Sequence, residues 1–178
     1  ISVTGCDSDQ EPLRTDADYL PLKKGLYSIY EVDETVYTIS DPPLELHYEL
    51  MTEIVDSFPN DEGRFTYVMY RYTRNNPDQS LQYSDTWSVR QNNLRTVAAE
   101  ENKDFVKVVF PVSEGRAWNG NAFNNLGNEP YKLQNARKPV AIGSLTFDDS
   151  IEVIQKDLDD IVVRTDKRRE VYARGAGL

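Results

Sequence analysis

One cysteine and one histidine stand among 178 residues. A single thiol excludes an internal disulfide framework and a cysteine-rich zinc site, and a single imidazole leaves little material for histidine-based catalysis. Positive charge is also scarce: twenty Lys and Arg face thirty Asp and Glu, giving a formal charge of −10. That balance is a poor start for gripping a phosphate backbone, so nucleic acid is not expected as a partner. No segment reaches the roughly eighteen apolar residues of a membrane-spanning helix. There is no repeat of fixed period, no low-complexity block and no Gly-x-Ser-x-Gly elbow for a nucleophilic serine. What is present is a chain with 39% hydrophobic and 28% charged residues and a mean hydropathy of −0.63. Its length is that of one domain with one packed core.

The lone cysteine gains meaning from its neighbours. Val3-Thr4-Gly5-Cys6 places an aliphatic residue and two small residues before Cys6, the shape of a bacterial lipobox, in which the thiol becomes the attachment point for diacylglycerol. The signal peptide of such a protein would lie upstream of Ile1. The start at Ile1 and the stop at Leu178, inside the apolar, glycine-bearing run Tyr172–Leu178, are read as cuts with further chain expected at both ends. A buried core thiol is the competing reading for Cys6, since free cysteine is often buried. Against it, Asp7 to Asp18 holds five acids, one Arg and one Pro, a composition that builds no core. Residues 1–18 are therefore read as a lipobox remnant followed by a solvated tether, and residues 19–178 as the folded domain. The tether carries a net charge of −4 and leaves −6 for the rest.

From Tyr19 onward the pattern is β, with eleven Tyr among abundant Val, Ile, Phe and Thr and apolar positions alternating with period two. Strands are expected over 26–39, as one bent strand or a pair, and over 44–50, where Leu44, Leu46, Tyr48 and Leu50 share a face. Asn60–Gly63 and Asn75–Asp78 are turn signals that bound a strand over 65–72, and further strands are expected over 81–89, 94–99 and 105–110. Together these suit an antiparallel meander. Residues 112–144 are rich in Asn, Gly and Pro and read as one long irregular crossing, with a short helical turn near Leu126 or over Tyr131–Asn135. Strands resume over 150–156, 161–165 and 170–178. The expected fold is mainly β: a single strongly bent antiparallel sheet, open or nearly closed into a lipocalin-like barrel or half-barrel. Such a sheet, apolar on both faces, needs side chains, a covering element or a ligand inside it.

The segment 118–125 is the sharpest local candidate. Trp118 and Phe123 offer flat apolar faces, and Asn119, Asn121 and Asn124 offer paired donors and acceptors, the mix that stacks on and hydrogen-bonds a glycan. The bland reading is a turn with aromatic plugs, because Asn and Gly dominate turns. Asp148-Asp149 and Asp157, Asp159 and Asp160 suggest calcium but lack the spaced ligands and central glycine of an EF-hand loop. No metal or other cofactor is expected. His47 alternates with Glu45 and Glu49 and reads as a surface row, and Lys167-Arg168-Arg169 reads as an exposed turn, with anionic headgroups as the alternative contact. Two carboxylates for glycoside hydrolysis could come from anywhere among thirty acids.

Asp18–Gly25, Tyr30-Glu31-Val32, Phe105–Val112, Trp118–Asn124 and Glu170–Leu178, taken in that order, resemble the uncharacterised lipoproteins of Bacteroidetes-type bacteria. Those proteins usually carry Asn and an aromatic where this chain has Leu26 and Ser28. The resemblance implies an envelope location and a β-rich fold, and brings no activity and no catalytic residues. The expectation is a lipid-anchored protein of the outer membrane or cell surface, its soluble domain in the periplasm or outside. It would bind an apolar or glycan ligand, or an envelope protein, without catalysis. The alternatives are a structural envelope module with a side-chain-filled core and a carboxylate-based hydrolase.

Overall fold

The computed structural model describes residues 15–37, 41–160 and 164–178. Cys6 and the acidic run up to Arg14 lie outside the described residues. So do residues 38–40 and 161–163, which overlap the strands expected over 26–39 and 161–165; the described body is antiparallel β, as expected. Six strands follow one another as a meander: β1 (Tyr27–Val36), β2 (Leu44–Pro59), β3 (Phe65–Arg74), β4 (Gln82–Gln91), β5 (Arg95–Glu100) and β6 (Lys103–Val109). The two polar turns do what their composition predicts. Asn60 Oδ1 accepts from the backbone N–H of Glu62 and Arg64, and Asn76 Oδ1 from that of Asp78, closing each turn from within.

The meander is strongly curled into a half-barrel, so that side chains from β1 to β5 reach one common cleft. Three register shifts contribute to the curl, at Ile54/Asp56, Arg71/Tyr72 and Thr96/Val97. Each leaves one strand with an unpaired extra residue, which bends that strand and sharpens its twist. The third shift is made at Lys107, the residue passed over between the pairs Val97↔Val106 and Thr96↔Val108.

The strands after the meander form a sheet of their own rather than extending the first. Its order is β10-β9-β8-β7, from β7 (Ala117–Asn119), β8 (Pro130–Ile142), β9 (Leu145–Asp160) and β10 (Arg164–Ala173). The expected irregular crossing is thereby shortened. Tyr131–Asn135, read as a helical turn, lies in β8. Period two is broken there by Asn135 and Arg137, both at positive φ, and by register shifts between Gln134 and Lys138 and between Lys138 and Val140.

The core sits between the second sheet and the end of the first. Val108, Phe110 and Val112 pack with Leu133, Ile151, Val153 and Tyr172, and Tyr19 closes one side from a short 3-10 turn over Asp16–Tyr19. Residues 15–18, expected to lie in a solvated tether, are packed against this core. Asp16 accepts from the Val112 backbone N–H and pairs with Arg137, Arg174 Nη1 donates to the Thr15 carbonyl, and the Gly175 N–H donates to the Asp18 carbonyl. With the Asp18 carboxylate accepting from the Thr15 N–H and facing Arg174, two of the acids have a folded role that a count of charge does not reveal.

Candidate functional site

The concave face of the half-barrel opens on a cleft of about 450 Å³. Its floor follows from strand register, because cross-strand partners share a face. One row runs through Ile54, Met69 and Trp87, paired in turn across β2, β3 and β4. Another joins Tyr30 to Leu50, and Val89 pairs with Ala98 beside them. Between these apolar rows lies a polar stripe, Ser28–Thr52–Arg71, again paired in register across β1, β2 and β3. Val171 from β10, the tail residues Ala176 to Leu178 and Leu20 to Leu22 supply the facing wall. The Tyr30 hydroxyl donates to the Leu178 carbonyl at 3.0 Å and ties that wall to β1.

Arg71 is the unusual member of the stripe. Its guanidinium lies over the Trp87 ring, 4.0 Å from the ring centroid, a cation–π arrangement. Its Nε is buried with no hydrogen-bond partner, the single such side-chain atom among the described residues. Asp85 stands opposite it in register, but the Asp85 carboxylate accepts from the Thr86 backbone N–H at 2.6 Å and from Trp87 Nε1 at 2.7 Å.

A second charged group closes one end of the cleft. Lys107 Nζ donates to Glu100 at 2.9 Å and to Glu170 at 2.5 Å, with its side chain only 10% exposed. Burial pulls the Lys107 ammonium down, and the charges of Glu170 and Glu100 outweigh it, so its pKa stands above the ordinary lysine value. Tyr172 donates its hydroxyl to Glu170 and is held well above the ordinary tyrosine range, first by burial and then by the Glu170 charge. Glu100 and Glu170 are thus two carboxylates facing one cleft, which a hydrolase requires. The Lys107 ammonium bridges them, however, in the space where a sugar's reacting carbon would have to sit.

The 118–124 segment lies elsewhere and is largely committed to its own closure. Trp118 on β7 donates Nε1–H to the Val106 carbonyl at 2.8 Å and packs edge-on against Tyr131 in the core. Asn119 Oδ1 accepts from the N–H groups of Asn121 and Glu129. Asn124 donates Nδ2 to the Asp104 carbonyl and to Asn121 Oδ1, and its own Oδ1 accepts from the Leu126 N–H. Of the five residues expected to contact a ligand, Phe123 alone is well exposed, with Arg95 and Arg90 over its ring at 5.3 and 6.0 Å.

The remaining candidates are surface or structural. His47 Nδ1 is 2.8 Å from Asp33 Oδ1 on an exposed strand face, and that hydrogen bond raises its pKa. Of its row, Glu45 accepts from Thr35 and Glu49 holds Arg74. Asp149 is taken by Tyr19 and Arg174, and Asp159 is paired with Lys167. Arg168 and Arg169 pair with Asp166 and Glu152. Among the described residues no group of three acidic, His or Cys side chains is placed to hold a metal ion, and no helix is long and apolar enough to cross a membrane.

Comparison with protein-family models, with curated proteins and with solved structures finds no match. The functional reading rests on the geometry of the cleft. The sequence carried one signal for its key residue: Arg71 is the one charged residue in the run Phe65–Tyr72 and shares the strand face of Met69. Alternation alone does not say which of two apolar faces is concave, so the signal had no location until the curl was known.

Proposed function

We propose that this chain is a non-catalytic binding protein of the cell envelope, anchored through a lipid on Cys6, whose half-barrel cleft holds an apolar small molecule. The observation that carries the binding role is the cleft itself. Its volume of about 450 Å³ falls in the range of small-molecule sites, and its few polar groups among apolar walls are the usual make-up of such sites. A structural module with a filled interior leaves no such opening. A hydrolase finds no support in Glu100 and Glu170 while Lys107 bridges them. The envelope location rests on the lipobox shape of Val3–Cys6 and the acidic tether behind it. Two acyl chains or more would give stable anchorage at the outer membrane or cell surface.

The test is uptake of a neutral fluorescent probe, N-phenyl-1-naphthylamine. Thr52 lies mid-floor and is partly exposed to the cleft, so Thr52→Phe fills the opening with a β-compatible ring. The wild type should show saturable probe fluorescence at one site per chain, and Thr52→Phe should abolish it with the melting temperature retained. Equal probe fluorescence in both proteins would move the site out of the cleft.

A further inference from the structure

Resting on that reading of the cleft, we propose that its ligand is a single-chain amphiphile with a carboxylate head, and that Arg71 is the residue that receives the carboxylate. The charges around the cleft are unevenly paired. The cleft is faced by three cations, Arg71, Lys107 and Arg169, together with Glu100 and Glu170. Lys107 is saturated by those two carboxylates, and Arg169 pairs with Glu152 at 3.2 Å. Arg71 makes no ion pair among the described residues. The carboxylate nearest in register, Asp85, accepts from Thr86 and Trp87 and forms no ion pair with Arg71.

A buried guanidinium nitrogen without a partner is costly, and such a group in a native fold calls for an explanation. Trp87 supports one face of the guanidinium and fixes its plane; Nε is shielded, and the edge left to meet a ligand is that of the two Nη groups, which no described residue engages. That edge is a planar fork matched to two carboxylate oxygens. Ser28 and Thr52 stand in the same cross-strand row, and neither hydroxyl is engaged by another described residue. The stripe thus adds two hydroxyl donors beside the fork. The apolar rows on either side, Ile54–Met69–Trp87 and Tyr30–Leu50, would take the hydrocarbon. The triad Lys107–Glu100–Glu170 carries a net negative charge and disfavours a second anion at that end. One acidic group on one apolar body is the chemistry this distribution selects.

Dodecanoate and 1-dodecanol share an alkyl chain and differ in the head. Titrated at about pH 8, where the acid is ionised, both should quench or shift Trp87 fluorescence, with dodecanoate bound about tenfold or more tighter, as expected for a charge-assisted pair. Arg71→Gln should remove that preference. Equal affinity of the two ligands for the wild type overturns the inference while leaving the cleft reading intact, and needs no variant. A preference that survives Arg71→Gln overturns the role of Arg71. Binding of neither ligand overturns both readings.

Discussion

Asp149 ties three parts of the chain together through one carboxylate. Its oxygens accept from the Tyr19 hydroxyl and, at 2.6 Å, from Arg174 Nε, while the Arg174 guanidinium lies 4.3 Å from the centroid of the Tyr19 ring. Burial alone would push this carboxyl up. The hydrogen bonds from Tyr19 and Arg174 outweigh it and hold the Asp149 pKa below its ordinary value. A carboxyl with a depressed folded pKa binds fewer protons in the folded than in the unfolded chain. Its contribution is therefore fully present above the ordinary value of about 3.9 and is lost as pH falls through the folded value. Asp149→Asn should lower the melting temperature at neutral pH and flatten its decline in that acid window. An unchanged acid slope in thermal melts would show that Asp149 does not carry this linkage.

At the scale of elements, the turn between β7 and β8 has the least room. Gly120 backs directly onto Tyr131, and a Cβ there would stand 2.3 to 2.5 Å from the ring carbons. The ring is buried and braced by Trp118, so it cannot step aside as an exposed side chain would. Gly120→Ala should cost about 1–3 kcal/mol by overpacking, read from urea unfolding midpoints. Unaltered stability would mean that β7 is free to shift.

The same elements show what the sequence could and could not convey. The meander was legible because Asn60–Gly63 and Asn75–Asp78 are turns by local chemistry and the runs between them alternate. β8 was not, because the positive φ at Asn135 and Arg137 and two register shifts erase the alternation over most of its length. The division into two sheets was hidden as well. It depends on long-range pairing that no local pattern encodes, as does the Lys107–Glu170 pair, whose partners lie 63 residues apart. Trp118 and its asparagines were legible as an unusual cluster, and their chemistry fits loop closure as well as it fits a glycan. Only their hydrogen-bond partners distinguish the two, and those come from Asp104, Val106 and Glu129.

At the scale of the whole molecule, a chain with a charge of −10 folds around a cleft lined mainly by apolar side chains. Anchorage is a separate claim from binding and has its own test. The full-length protein expressed in a suitable bacterium should partition into detergent and incorporate labelled palmitate, and Cys6→Ala should abolish both. A wild type that stays aqueous and unlabelled would end the lipid-anchor proposal while leaving the cleft untouched.

The central claim is that a small apolar molecule occupies the concave face of the first sheet. The most direct measurement is where N-phenyl-1-naphthylamine sits, read from methyl resonances of the labelled protein as the probe is added. Shifts are expected at Ile54, Met69 and Leu50, which line the cleft, with Leu133 and Val153 in the closed core unmoved. Shifts confined to Leu126 beside Phe123, or no shifts at all, would contradict it.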